Sequence, residues 1–185
     1  MSENRKPTIG VMGAASDALG VRTLARLASM AEKLGAAIAA RGCVLMTGAT
    51  TGLTDMVARA ARTRGALTIG ISPAANEREH VEKYNLPLTA EVIVYTGFGL
   101  KGRNVVNIRS SDVVIIFGGG MGTLNEFTIA YDEGKIIGVL HGSGGVADHI
   151  AEIIDFARKP TRAKVIYNED PDQLIDHCLR ALGAQ

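Results

Sequence analysis

The chain has 185 residues, of which 46% are hydrophobic and 21% charged, and its formal net charge is +1. That length suits a single domain with an ample core, and the charge balance lacks the basic excess that binds nucleic-acid backbones or anionic membranes. Nucleic acid is therefore not expected as a partner. A membrane is not expected either, because no apolar run approaches the length of a bilayer span.

Met1 to Lys6 is polar, without the apolar core of a signal peptide, and reads as a flexible N-terminus ahead of one domain over 7–185. From there short apolar runs alternate with longer amphipathic ones. The strand-like runs are Thr8–Met12, Cys43–Thr47, Leu67–Ser72, Glu91–Tyr95, Val113–Phe117, Ile136–Leu140 and Lys164–Tyr167. They are almost continuously apolar, as strands covered on both faces are. The helix-like runs are Val21–Arg41, Leu53–Arg64, Gly102–Ser110, Thr123–Glu133, Val146–Arg158 and Pro171–Leu182. In the first, Leu24, Leu27, Ala31, Leu34 and Ile38 recur at helical spacing, and Gly42 follows where a left-handed cap is often needed. In the last, Pro171 sits in the first turn with Asp170 placed to cap it. The alternation predicts an α/β fold with an open, doubly wound parallel sheet of about seven strands. The irregular stretch from Pro73 to Ala90 reads as a solvated connector, with a mobile flap as the alternative.

Cys43 and Cys178 have no metal-ligand spacing, and Cys43 opens an apolar run as a small buried hydrophobe. A reducing, cytoplasmic setting is the expectation. His80, His141, His149 and His177 form no ligand set either and read as surface residues.

In open parallel sheets, ligands bind beyond the carboxyl ends of the strands. Four such ends run into small-residue loops: Gly13-Ala14-Ala15-Ser16-Asp17, Gly48-Ala49-Thr50-Thr51-Gly52, Thr96-Gly97-Phe98-Gly99-Leu100 and Gly118-Gly119-Gly120-Met121-Gly122-Thr123. The last is the most informative. It joins a buried strand to a helix almost without side chains, so that backbone N–H groups and a helix N-terminus can meet a phosphate. There is no Walker sequence, no G-x-G-x-x-G after the first strand and no G-x-S-x-G elbow.

Two charged residues belong to this edge. Arg103 opens the helix after the third loop, and Glu126 lies in the first turn after the fourth. The strands before these loops, joined by one short helix, are expected to be neighbours, so both residues should flank one pocket, with Asn107 one turn beyond Arg103. Other readings stand beside these. Thr123-Leu124-Asn125-Glu126 also fits a capping box, Arg103 also fits a solvated helix residue, and Ser16 and Thr50 can either donate to phosphate or cap helices.

These residues resemble a known family. Gly119-Gly120-Met121-Gly122-Thr123-Leu124-Asn125-Glu126 resembles the PGGxGTxxE motif of the LONELY GUY (LOG) family, also labelled lysine decarboxylase-like. Arg103 resembles the arginine of that family's MxxRK motif, Thr47 to Leu53 its GGGxxGLM segment, and Gly13 to Ser16 its first loop. Within the motifs Gly118 stands for a proline, Met121 for a tyrosine, Asn125 for an acid, Asn104 for a lysine and Ala14 for a serine. The resemblance implies a Rossmann-like homodimer or higher homo-oligomer. It would bind nucleoside 5′-monophosphates and hydrolyse their N-glycosidic bond to free base and ribose 5-phosphate. It implies phosphate contacts from Gly119, Gly120, Gly122 and Thr123, a catalytic pair in Arg103 and Glu126, and no cofactor or metal; Gly13, Ser16, Gly48 and Thr50 of the neighbouring loops are the further candidate nucleotide contacts. Related proteins such as the molybdenum cofactor carrier protein bind without catalysis, so a carrier or sensor of a phosphorylated ligand is the alternative.

Overall fold

The alternating pattern becomes seven strands and six helices among the described residues. They are β1 (Thr8–Gly13), α1 (Val21–Ala40), β2 (Val44–Thr47), α2 (Leu53–Arg62), β3 (Thr68–Ser72), β4 (Val92–Tyr95), α3 (Gly99–Arg109), β5 (Val113–Phe117), α4 (Met121–Asp132), β6 (Ile136–Leu140), α5 (Val146–Ala157), β7 (Lys164–Asn168) and α6 (Pro171–Gly183). The computed structural model describes residues 5–14 and 21–184, including side chains except those of 21–24. The Leu24 side chain and the Ala15-Ser16-Asp17 part of the first loop lie outside that description.

All seven strands are parallel, in the order β4-β3-β2-β1-β5-β6-β7. Side chains of a strand point alternately to opposite faces, and β5 shows the result. Val113, Ile115 and Phe117 enter a core with Leu27, Leu34 and Ile38 of α1, Val57 of α2 and Leu174 and Cys178 of α6. Val114 and Ile116 enter a second core with Ile108 of α3, Phe127 of α4 and Ile150 of α5. Every residue of β5 and β6 is buried, which is why these strands read as unbroken apolar runs. Cys43 and Cys178 are buried, and burial pushes the Cys178 thiol up to about 12. Asp170 caps α6 by accepting from the N–H groups of Asp172 and Gln173 at 2.9 and 3.0 Å.

Three expectations are corrected. β4 and β5 are not neighbours: among the described residues β4 pairs only with β3, at one edge, whereas β5 pairs with β1 and β6 at the centre. The connection through α3 passes over three strands to reach β5, and α3 packs against α4 there. The 73–90 segment is not a loose connector, and His80 is not a surface residue. His80 is fully buried, with Nε2 donating to Pro87 O at 3.1 Å and Nδ1 facing Ser72 Oγ at 2.8 Å. That carbonyl can only accept, so Nδ1 is the acceptor for the Ser72 hydroxyl. One π-type turn, Glu79–Lys83, carries His80 into this position.

Candidate functional site

Strand order changes direction of travel at β1. Chain growth runs from β1 through β2 and β3 to β4, then returns to β5 on the other side of β1. The loops leaving the carboxyl ends of β1 and β5 therefore diverge, and a crevice opens between them. It holds a cavity of about 330 Å3, within the usual range of roughly 300–1,000 Å3 for small-ligand sites. All four small-residue loops reach it or its rim, through Gly13 and Ala14, Gly48 and Thr50, Leu100, and Gly120, Gly122 and Thr123.

The glycine loop builds one wall. Gly118 and Gly119 have φ of +60° and +94°, in the left-handed region where other residues are strained. A side chain on Gly119 would collide with Thr123, so Gly119 shapes the loop without lining the cavity. Gly120 is the N-cap of α4, and Cβ atoms at Gly120 or Gly122 would meet nothing within 4 Å. The start of α4 thus faces the cavity through Gly120 and Gly122, which carry no side chain, with Thr123 beside them, and its N–H groups carry the positive end of the helix dipole. Thr123 is inside that turn and is not its cap; Glu126 is correspondingly no partner in a capping box.

The loop is braced from behind. Ser143 Oγ accepts from Gly118 N–H at 2.8 Å and donates to Leu140 O at 2.5 Å. Val146 N–H donates to Gly119 O at 2.9 Å, and Ala147 N–H to Gly118 O at 3.1 Å. These bonds engage two loop carbonyls with the N-terminus of α5, so neither is free to repel an anion. Sequence reasoning missed this brace. The signal was a fifth small-residue loop, Gly142-Ser143-Gly144-Gly145, at the carboxyl end of β6.

The opposite wall comes from α3 and α4. Arg103 and Glu126 both line the cavity, 7% and 8% exposed. Arg103 Nη1 donates to the carbonyls of Gly48 and, at 3.1 Å, Ile71; its Nε has no hydrogen-bond partner among the described residues. Burial lowers the guanidinium's proton affinity and the Glu126 charge opposes that effect. Burial pushes the Glu126 carboxyl up to about 7, against the pull of Arg103 and Lys101. A carboxyl at that value exchanges its proton near neutral pH, which suits acid–base chemistry. Asn107 is buried beside Met12, with Nδ2 3.3 Å from the Met12 sulfur, and does not line the cavity. Thr54, Lys101 and Asn104 line it and were not singled out as ligand contacts from the sequence. The Ser16 expectation lies outside the described residues. Phe98 is 67% exposed and Tyr95 half-buried, so neither forms a stacking wall in the cavity.

Comparison with known proteins agrees with this architecture. An uncharacterized protein of Archaeoglobus fulgidus is 33% identical over 111 residues, 60% of this chain and 68% of its own. The cytokinin riboside 5′-monophosphate phosphoribohydrolase of Mycobacterium tuberculosis is 32% identical over 130 residues, 70% of this chain and 64% of its own. Two solved structures match nearly end to end. The molybdenum cofactor binding protein of Rippkaea orientalis has a TM-score of 0.75 and 29% identity over 97% of this chain and 98% of its own. The molybdenum cofactor carrier protein of Chlamydomonas reinhardtii has a TM-score of 0.74 and 27% identity over 98% of this chain and 100% of its own. The resemblance read from the glycine motif thus holds at a coarser level than the LOG family itself. The fold is Rossmann-like, and a family model matches residues 6–175: the chain belongs to the SLOG cluster4 family.

Proposed function

We propose that the cavity binds a nucleoside 5′-monophosphate and hydrolyses its N-glycosidic bond. The phosphate sits at the N-terminus of α4, on the amides of Gly120, Gly122 and Thr123, with Thr50, Gly48 and Gly13 on the neighbouring walls and Gly119 only shaping the loop behind. The observation that carries this reading is the juxtaposition of that bare helix terminus with a buried carboxyl, Glu126, one turn along the same helix. A ligand anchored by its phosphate has its sugar delivered to the carboxyl, and remote anchoring of this kind positions the reacting carbon.

The chemistry follows from a carboxyl that titrates at about 7. In its protonated form Glu126 gives its proton to the departing base as the C–N bond breaks. In the resulting carboxylate form it stabilises the positive charge on the ribose ring, then takes a proton from the attacking water. Products are the free base and ribose 5-phosphate, and the carboxyl is restored. A phosphate dianion in the same cavity disfavours ionisation of Glu126, keeping the acid loaded until the bond breaks. Arg103, fixed to two main-chain carbonyls, supplies a stationary positive charge beside Glu126. The similarity to the M. tuberculosis phosphoribohydrolase supports this reading.

A second reading has its own support. Similarity to molybdenum cofactor binding and carrier proteins spans 97% and 98% of this chain. On that reading the same loop holds a phosphorylated pterin-type cargo and releases it intact. Incubating the protein with a panel of nucleoside monophosphates, with free base measured by chromatography and binding by calorimetry, separates the two. Base release that Glu126→Gln abolishes supports the hydrolase. Binding without base release for every nucleotide overturns it in favour of the carrier. A homodimer follows from the family resemblance and is tested by sedimentation.

A further inference from the structure

Arg103 acts on Glu126 through its charge and makes no hydrogen bond or ion pair with it; its Nη1 donates to main-chain carbonyls. The group that reaches the carboxyl is Asn104, one residue along α3, which is 3% exposed and lines the same cavity. Its amide meets that of Asn125 at 2.8 Å. With the Asn104 amide turned so that its nitrogen faces acceptors, Nδ2 donates to Glu126 Oε1 at 3.3 Å and to Leu100 O at 3.1 Å. That turn sets Asn104 Oδ1 2.8 Å from Asn125 Oδ1, two acceptors, so the two amides turn together: with the Asn125 amide also reversed, its Nδ2 donates to Asn104 Oδ1, and every polar atom of Asn104 has a complementary partner. The chain of donation runs from Asn125 through Asn104 to Glu126, bridging α4, α3 and α4 again.

We propose that Asn104, held by Asn125, is the positioning residue that orients the Glu126 carboxyl toward the cavity. The proposal rests on Glu126 as the reacting group. Its physical content is a neutral clamp. The charged groups that act on Glu126 are Arg103 and Lys101, both on α3, and the lining residues from β1 and α2 carry no charge. An ammonium at position 104 would add a third positive charge and hold the carboxyl ionised. An amide fixes the carboxyl's direction through a hydrogen bond while leaving its proton exchangeable.

The test is the titration of Glu126, followed by NMR with 13C-labelled glutamate carboxyls, in wild type, Asn104→Leu and Asn125→Ala. A hydrogen bond donated to a carboxylate favours the charged form, so its loss raises the titration midpoint. In Asn104→Leu the midpoint is expected to rise by about half a unit, roughly threefold in proton affinity. Asn125→Ala, whose side chain lies outside the cavity, is expected to move it in the same direction by less. In the nucleotide that turns over fastest, kcat and its pH profile shift with the midpoint while KM changes by less than about twofold. A midpoint unchanged in the folded variants overturns the proposal, and if Asn104→Leu fails to fold, Asn125→Ala decides. Midpoint shifts in a protein that hydrolyses no nucleotide uphold the clamp and overturn the hydrolase.

Discussion

Arg103, on α3, donates through Nη1 to the carbonyl of Gly48, at the carboxyl end of β2. The guanidinium lies where a Cβ on residue 48 would be, so Gly48 is required by close approach. Gly48→Ala is therefore expected to displace Arg103 and to destabilise the fold by about 2–4 kcal/mol, as overpacking of a buried site does. For a chain of this size that lowers the melting temperature by roughly 4–16 °C. Unchanged melting together with unchanged nucleotide binding would show that the contact is dispensable.

Ser143→Ala removes the hydroxyl that joins Gly118 N–H to Leu140 O. Both groups are left buried without that partner, a loss of about 2–3 kcal/mol. Because the brace sets the path of the glycine loop, phosphate affinity should fall as well. Calorimetry with inorganic phosphate and with a nucleoside monophosphate reads this. A variant that loses stability but keeps full phosphate affinity would separate the brace from the anion site.

Glu126 makes stability depend on pH with a definite sign. Its carboxyl is raised from 4.5 to about 7 on folding, chiefly by burial. The native state then binds more protons than the unfolded state between those values, so its contribution is fully present below pH 4.5 and is lost as pH rises through 7. The total change is on the order of 3 kcal/mol. Glu126→Gln has no such proton to lose. Its stability relative to wild type should increase across that window and level off above it. Denaturant melts at several pH values measure the difference, and parallel wild-type and variant curves would contradict the assignment.

His80 locks the 73–90 segment through Ser72 and Pro87. In His80→Leu the Ser72 hydroxyl and the Pro87 carbonyl both lose a partner, and about 2–4 kcal/mol is expected to be lost. Limited proteolysis should then cut within Ala74–Leu88 while the sheet stays protected. Resistance equal to wild type would mean that other contacts hold the segment.

What the sequence disclosed, and what it withheld, divides along a physical line. The buried run Val113–Phe117 and the glycines after it were plain because five consecutive apolar residues ending in Gly-Gly-Gly have few other structural uses. The start of α4 was read two residues late, at Thr123 and not at Met121, because the true cap is Gly120, which has no side chain to announce it. The start of α3 was read three residues late, since Gly99 and Gly102 are poor helix formers. Nothing local in 96–112 states how many strands its connection crosses, so β4 and β5 were placed side by side although three strands separate them. Arg103 and Glu126 line one cavity all the same, because α3 lies against α4. The partner of His80 is eight residues away on the preceding strand, and a lone histidine in a polar stretch carries no sign of it.

The brace at Ser143 has a consequence for how such proteins diversify. The glycine loop takes its shape from β6 and α5, whereas Arg103, Lys101 and Asn104 around Glu126 come from α3. Exchanging the inward residues of that one helix changes the surroundings of Glu126 while the bracing of the loop stays intact. The two halves of the crevice can thus vary independently, one wall held by a neighbouring strand and helix, the other open to substitution on a single helical surface.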